Sequence, residues 1–204
     1  MNLYLEYMFL KKSQIPILIF TLIYLLVALF IFIARANYEF IMYIGVVVFF
    51  FFLILFTNEK IRYPDVILWG LSFWGLLHMC GGGVLINGER LYGLILIPIS
   101  SMYSIFRYDQ FVHIIGFGIA TLLMFVLIES KLKKPIKNWS AISVVIIMAG
   151  LGVGAINEII EFTAVVIMPE TGVGGFINMA LDLVSDLIGA CLAMIYIRFK
   201  KGRL

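Results

Sequence analysis

Six stretches of this chain, 15–34, 39–56, 66–86, 108–128, 139–168 and 178–199, run almost uninterrupted by charge. A helix needs about 20 apolar residues to cross the hydrocarbon core of a bilayer. Hydrophobic residues make up 63% of the 204 and charged residues only 13%, about half the charged share of an ordinary soluble domain. A chain of this size has no core large enough to hide so much apolar surface from water. Lipid is therefore the solvent, and every backbone amide must be paired inside helices or a closed barrel. The runs do not alternate polar with apolar residues, so helices win over a barrel. The expectation is an all-α, polytopic bundle of six spans, forming a single transmembrane domain over 1–204.

Around the spans, residues 1–14 read as an interfacial lead-in ending at Lys11-Lys12. The first run is longer than the apolar region of a secretory signal, so a retained anchor is expected despite the cleavage-like Ala34-Arg35-Ala36. Residues 91–107 are apolar but broken by Pro98, Ser100 and Ser101, which makes them an interfacial or re-entrant connector. Cys80 and Cys191 both fall within apolar runs and define no disulfide framework.

Basic residues orient the bundle. With the N-terminus inside, Lys11, Lys12, Lys60, Arg62, Lys131, Lys133, Lys134, Lys137, Arg198, Lys200, Lys201 and Arg203 are cytoplasmic, and Arg35, Arg90 and Arg107 are outside. This split of 12 against 3 follows the positive-inside rule. Both termini are expected in the cytoplasm, and the plasma membrane is the expected location.

The spans hold almost all of their charge as acid. No Lys or Arg lies in the interior of a span, whereas Asp109, Glu158, Glu161, Asp182 and Asp186 do, along with both histidines, His78 and His113. One charge at mid-bilayer costs roughly 2.5–3.5 kcal/mol on insertion scales. Carboxylates without basic partners must be protonated, hydrated or bound to a cation. Asp109 and His113 share a helix face, as do Glu158 and Glu161, and Asp182 and Asp186 with Asn178 one turn earlier. In the orientation above, these residues and His78 fall in one layer of the outer half of the membrane. A donor set of imidazole and carboxylate suits Zn, and then Mn or Fe, better than Mg or Ca. His78, Asp109, His113, Asp182 and Asp186 are the expected metal ligands. Glu158 and Glu161 are the expected catalytic carboxylates, with Glu158 as general base. Gly150-x-x-x-Gly154, Gly116 with Ala120, and Gly189-Ala190 read as close-packing faces. Gly172, Gly174 and Gly175 form an outer loop over the site.

The pieces Trp74-x-x-x-His78-x-x-Gly81-Gly82, Tyr108-Asp109-x-x-x-His113, Ala155-Ile156-Asn157-Glu158-x-x-Glu161 and Asp182-x-x-x-Asp186-x-x-Gly189-Ala190 resemble the YjdF-like family of small membrane proteins. The last three are also similar, in part, to the VanZ-like family, whose pattern favours Asn where this chain has Asp186. These resemblances imply a membrane location and the polar positions, and no reaction. The residues themselves point to a metal-dependent enzyme, a hydrolase or transferase working on a lipid or lipid-linked substrate. A cation- or proton-coupled transporter and a structural or accessory membrane protein are the alternatives. Membrane lipid is the expected partner, and nothing points to nucleic acid.

Overall fold

The computed structural model describes residues 10–100, 102–129, 131, 136 and 138–202. Lys133, Lys134, Lys137 and Arg203, on which part of the orientation argument rests, lie outside the described residues, as do Ser101 and residues 1–9 of the expected lead-in. Six helices are described: α1 (Ile15–Ala34), α2 (Tyr38–Ile61), α3 (Asp65–Gly83), α4 (Tyr108–Glu129), α5 (Trp139–Ile167) and α6 (Phe176–Lys200). All six are long and apolar enough to cross a membrane.

Local chemistry sets their ends. Pro16 stands in the first turn of α1, where its missing N–H has no intrahelical partner to lose. Asn37 caps α2 by accepting from the Phe40 N–H at 3.2 Å, and Asn138 caps α5 by accepting from Ala141 at 3.0 Å. α2 runs past the expected Phe56 to Ile61, taking in Asn58, Glu59 and Lys60, and ends where Arg62 turns left-handed at φ 54°. α3 stops at Gly83, short of the expected Ile86. There the chain enters a two-stranded hairpin, β1 (Leu85–Ile86) and β2 (Glu89–Arg90), turned by Asn87-Gly88 at φ 52° and 88°. Positive φ at both central residues is what a tight hairpin of this hand requires, and Asn-Gly supplies it most readily. Among the described residues, 91–107 hold a 3-10 turn at Leu91–Gly93 and a bridge between Ile95 and Arg107. Among the described residues they add no seventh helix.

The chain divides into two compact units, 1–79 and 80–204. In the first, α1 meets α2 through the rings of Phe32 and Phe40, 4.9 Å apart. It meets α3 through Phe20 and Trp69 at 5.7 Å and through the hydroxyls of Thr21 and Ser72 at 2.6 Å. At one end Gln14 gathers the chain. Its Nε2 donates to the Tyr63 carbonyl and to Asp65, both at 3.2 Å, and its Oε1 accepts from Asn58 at 2.8 Å. Asn58 Oδ1 in turn accepts from the Tyr63 N–H at 3.1 Å.

The second unit is a bundle of α4, α5 and α6, each packed on the other two. Phe125, Ile146, Met194 and Ile197 form its apolar core. The seams are built on glycine. A Cβ on Gly189 would collide with the Ile114 carbonyl of α4, and one on Gly118 would sit 3.3 Å from the Gly189 oxygen. Gly150 of α5 makes room for Thr121 of α4, and Gly154 for the carboxylate of Asp186 on α6.

Candidate metal centre

Three helices of the second unit deliver polar side chains to one buried point. α4 brings Asp109, Gln110 and His113, α5 brings Asn157, Glu158 and Glu161, and α6 brings Asn178, Asp182 and Asp186. Asn178 Nδ2 donates to Asp109 Oδ2 at 3.0 Å and also to Asp182 Oδ2. Gln110 Nε2 donates to Asp182 Oδ1 at 2.7 Å, and His113 Nδ1 lies 2.8 Å from Asp186 Oδ1. These α4–α6 pairs are separated by 69, 72 and 73 residues. A nearly constant offset means that the two helices run parallel, in register. α5 runs against them, since its earlier Gly150 meets Thr121 and its later Gly154 meets Asp186.

His113 is the hub. It is 5% exposed, and Asp182 and Asp186 are fully buried. With Asp186 ionised, its carboxylate only accepts, which puts the proton of the His113–Asp186 bond on Nδ1. In the neutral ring this leaves the Nε2 lone pair for the other side, where Asp109 Oδ1 stands 3.7 Å away. On the Nδ1 side, Glu158 Oε1 is 3.9 Å off. Among the described residues, two groups could each hold a cation: Asp109, His113 and Asp182, and His113, Glu158 and Asp186, with ligand atoms within 4.8 Å of one another. Donors about 3.3 Å apart surround a tetrahedral zinc with bonds of 2.0–2.1 Å, so small side-chain movements would close either group. Glu158 Oε1 and Asp186 Oδ2 are buried without a hydrogen-bond partner. Buried polar atoms rarely stay unpaired.

The expected ligands Asp109, His113, Asp182 and Asp186 are thus together, with Glu158 among them. Glu161 is half-buried and accepts from Asn157 Nδ2 at 2.9 Å, one turn beyond Glu158. His78 belongs to the first unit, where its ring rests against Phe40 at 5.8 Å and Tyr43 at 5.5 Å between centroids. Gln110 is a site residue that the sequence reading passed over. Its signal was weak: one neutral polar side chain next to an aspartate at the start of an apolar helix. Arg107, read only as an outside charge, donates from Nη1 to Asn178 Oδ1 at 3.5 Å.

Residues 16–203 match the family model described as "Predicted membrane protein (DUF2238)". No curated protein and no solved structure matches the chain, and the partial likeness to the VanZ-like family is not shown. The match spans nearly the whole chain, both units included, and takes in all seven expected site residues. The chain belongs to the DUF2238 family of membrane proteins, which is the YjdF-like family its motifs resemble.

Proposed function

We propose that this protein is a metal-dependent membrane enzyme, a hydrolase or transferase acting on a lipid or lipid-linked substrate, with a divalent cation held by Asp109, His113 Nε2 and Asp182. The observation that carries this reading is the arrangement around His113: a buried imidazole tied to a carboxylate through Nδ1, with Nε2 facing Asp109 and Asp182 within ligand reach of both. A carboxylate on the far nitrogen fixes the tautomer and aims the ring, as the outer partners of metal-binding histidines do. Asp186 fills that role, cradled by Gly154. Gln110 and Asn178 orient Asp182, and Asn178 also orients Asp109. The donor chemistry favours Zn over Mn or Fe.

A second argument is charge. Four carboxylates stand around one imidazole in a poorly polar layer, and burying unpaired charges is costly. Two positive charges offset much of that cost. When bound, such a cation would supply Lewis acidity toward water and a substrate oxygen. Glu158 and Glu161, the carboxylates left outside this ligand set, would serve as proton acceptors, Glu158 first. The positive-inside count favours both termini inside and the site toward the outer leaflet, and the plasma membrane is the location we propose. Reporter fusions at Lys131 and Gly174 test this, and the same side for both would overturn it.

Cation- or proton-coupled transport is the second reading, and the unpartnered oxygens of Glu158 and Asp186 favour it. Elemental mass spectrometry of purified protein decides between the two. About one equivalent of Zn, Mn or Fe, lost in His113→Ala, supports the metal site. Protein isolated without chelator and free of metal, and unaffected by added metal, would leave the transporter.

A further inference from the structure

We propose that the cleft beside the carboxylate cluster binds the phosphate group of an anionic lipid, and that Arg107 recognises it. The inference deepens the lipid-active reading above and rests on it. The cleft has a volume of about 780 Å³, within the usual range for small-molecule sites. The connector supplies Met102, Tyr103 and Arg107, and the start of α6 supplies Phe176, Ile177 and Asn178.

Arg107 is the cleft's cation, and its donors are underused. Its Nε is buried with no hydrogen-bond partner, and Nη1 makes only the 3.5 Å contact to Asn178. Among the described residues it forms no ion pair with a carboxylate. A guanidinium carries five N–H donors in a planar fork that matches phosphate. A guanidinium at a cleft wall with a single weak side-chain contact fits an anion that arrives from outside. The start of α6 adds to the same wall. Its N-cap is Gly175, with no side chain bonded to the first turn, and its first two residues line the cleft. Helix starts favour anions because their amides lack intrahelical partners.

The remaining wall says where the phosphate comes from. Met102 is 79% exposed and Phe176 81%, and in a membrane-spanning chain such surfaces face acyl chains. A free inorganic anion would gain nothing from them. A lipid would lay its chains there and its headgroup on Arg107. Asn178 then connects recognition to chemistry: its Oδ1 accepts from Arg107 and its Nδ2 donates to Asp109 and Asp182. A phosphate on the guanidinium lies one side chain away from the proposed cation ligands.

The test is equilibrium binding to the full-length protein in detergent, with three probes: dihexanoyl phosphatidic acid, dihexanoylglycerol and inorganic phosphate. Bound metal is measured on the same samples. Saturable binding of the phosphatidic acid is expected, with both other probes weaker by about tenfold or more. Arg107→Gln should lose about that factor while keeping its metal, and Arg107→Lys should fall between, as a point charge without the fork. Equal binding of phosphatidic acid and dihexanoylglycerol by the wild type would overturn the proposal whether or not the variants fold. Phosphate binding as tightly as the lipid would make this a free-anion site and overturn it too. Metal present without phosphate discrimination sinks this inference alone. Arg107-dependent lipid binding in metal-free protein sinks the metal reading and leaves Arg107 in its role.

Discussion

The two units bury polar side chains to opposite effect. In the first, Gln14, Asn58, Tyr63 and Asp65 close a network in which amide donors meet acceptors, and Thr21 meets Ser72. In the second, Asp109, Glu158, Asp182 and Asp186 surround a single imidazole, and two carboxylate oxygens find no hydrogen-bond donor. Each donor–acceptor pair inside a bundle contributes about 0.5–1.5 kcal/mol, which is what the first network does. An excess of acceptors has no such return. A polar residue inside a span is therefore no sign of function by itself. The imbalance between donors and acceptors is the sign, and only the second unit carries it in the residues described.

That contrast can be broken at its strongest point first. Removing the cation with a chelator should lower the melting temperature of the wild type by about 5–10 °C if the site is near 100-fold saturated, a linkage of about 2.7 kcal/mol. Added Zn or Mn should restore it. In His113→Ala neither treatment should move the melting curve, since the ligand common to both groups is gone. A chelator response that survives the substitution would place the cation elsewhere.

Gly154→Ala should come next, at about 1–3 kcal/mol, because the new methyl meets the Asp186 carboxylate. Its signature is a loss of metal affinity along with stability. Unchanged metal stoichiometry and affinity would show that Asp186 does not aim His113. Gln14→Ala should cost a similar or smaller amount, about 1–3 kcal/mol, by leaving Asn58 and Asp65 short of partners. Here metal content should stay at the wild-type value. A drop would erase the division of roles between the units.

His78→Ala should have the smallest effect on metal binding. Losing its ring contacts with Phe40 and Tyr43 costs about 0.5–1.5 kcal/mol for each pair, and the chelator response should persist. Loss of that response would extend the ligand set into the first unit, as the sequence motif around His78 suggests.

The spans were legible because their signal is redundant. Twenty apolar residues in a row leave few alternatives, and α1, α4 and α5 end within a residue of where the runs do. The end of α3 was harder to read. Val84, Leu85 and Ile86 look like more span, and Asn87-Gly88 reveals a hairpin only once its two-residue strands are known to pair. Within the site, the acids stood out because charge in a lipid-facing sequence is conspicuous. Their division was not legible. Nothing in the spacing tells whether Asp186 or Asp182 meets Nδ1 of His113. The 73-residue offset between partners decides that, and it follows from how α4 and α6 slide past each other as they pack. Gln110 escaped for the same reason, since its amide means little until Asp182 is seen opposite it.

The glycine contact between α4 and α6 bears on which ion could be discriminated. Gly189 rests on the Ile114 carbonyl and faces Gly118, so main chain lies on main chain with no side chain between to act as a spring. His113 is one residue before Ile114, and Asp186 is one turn before Gly189. The spacing of these two backbones is thus pinned by atoms that cannot change rotamer. If a cation binds as proposed, a helix spacing that cannot widen would favour the short bonds of a first-row metal over the longer bonds and larger oxygen shell of calcium.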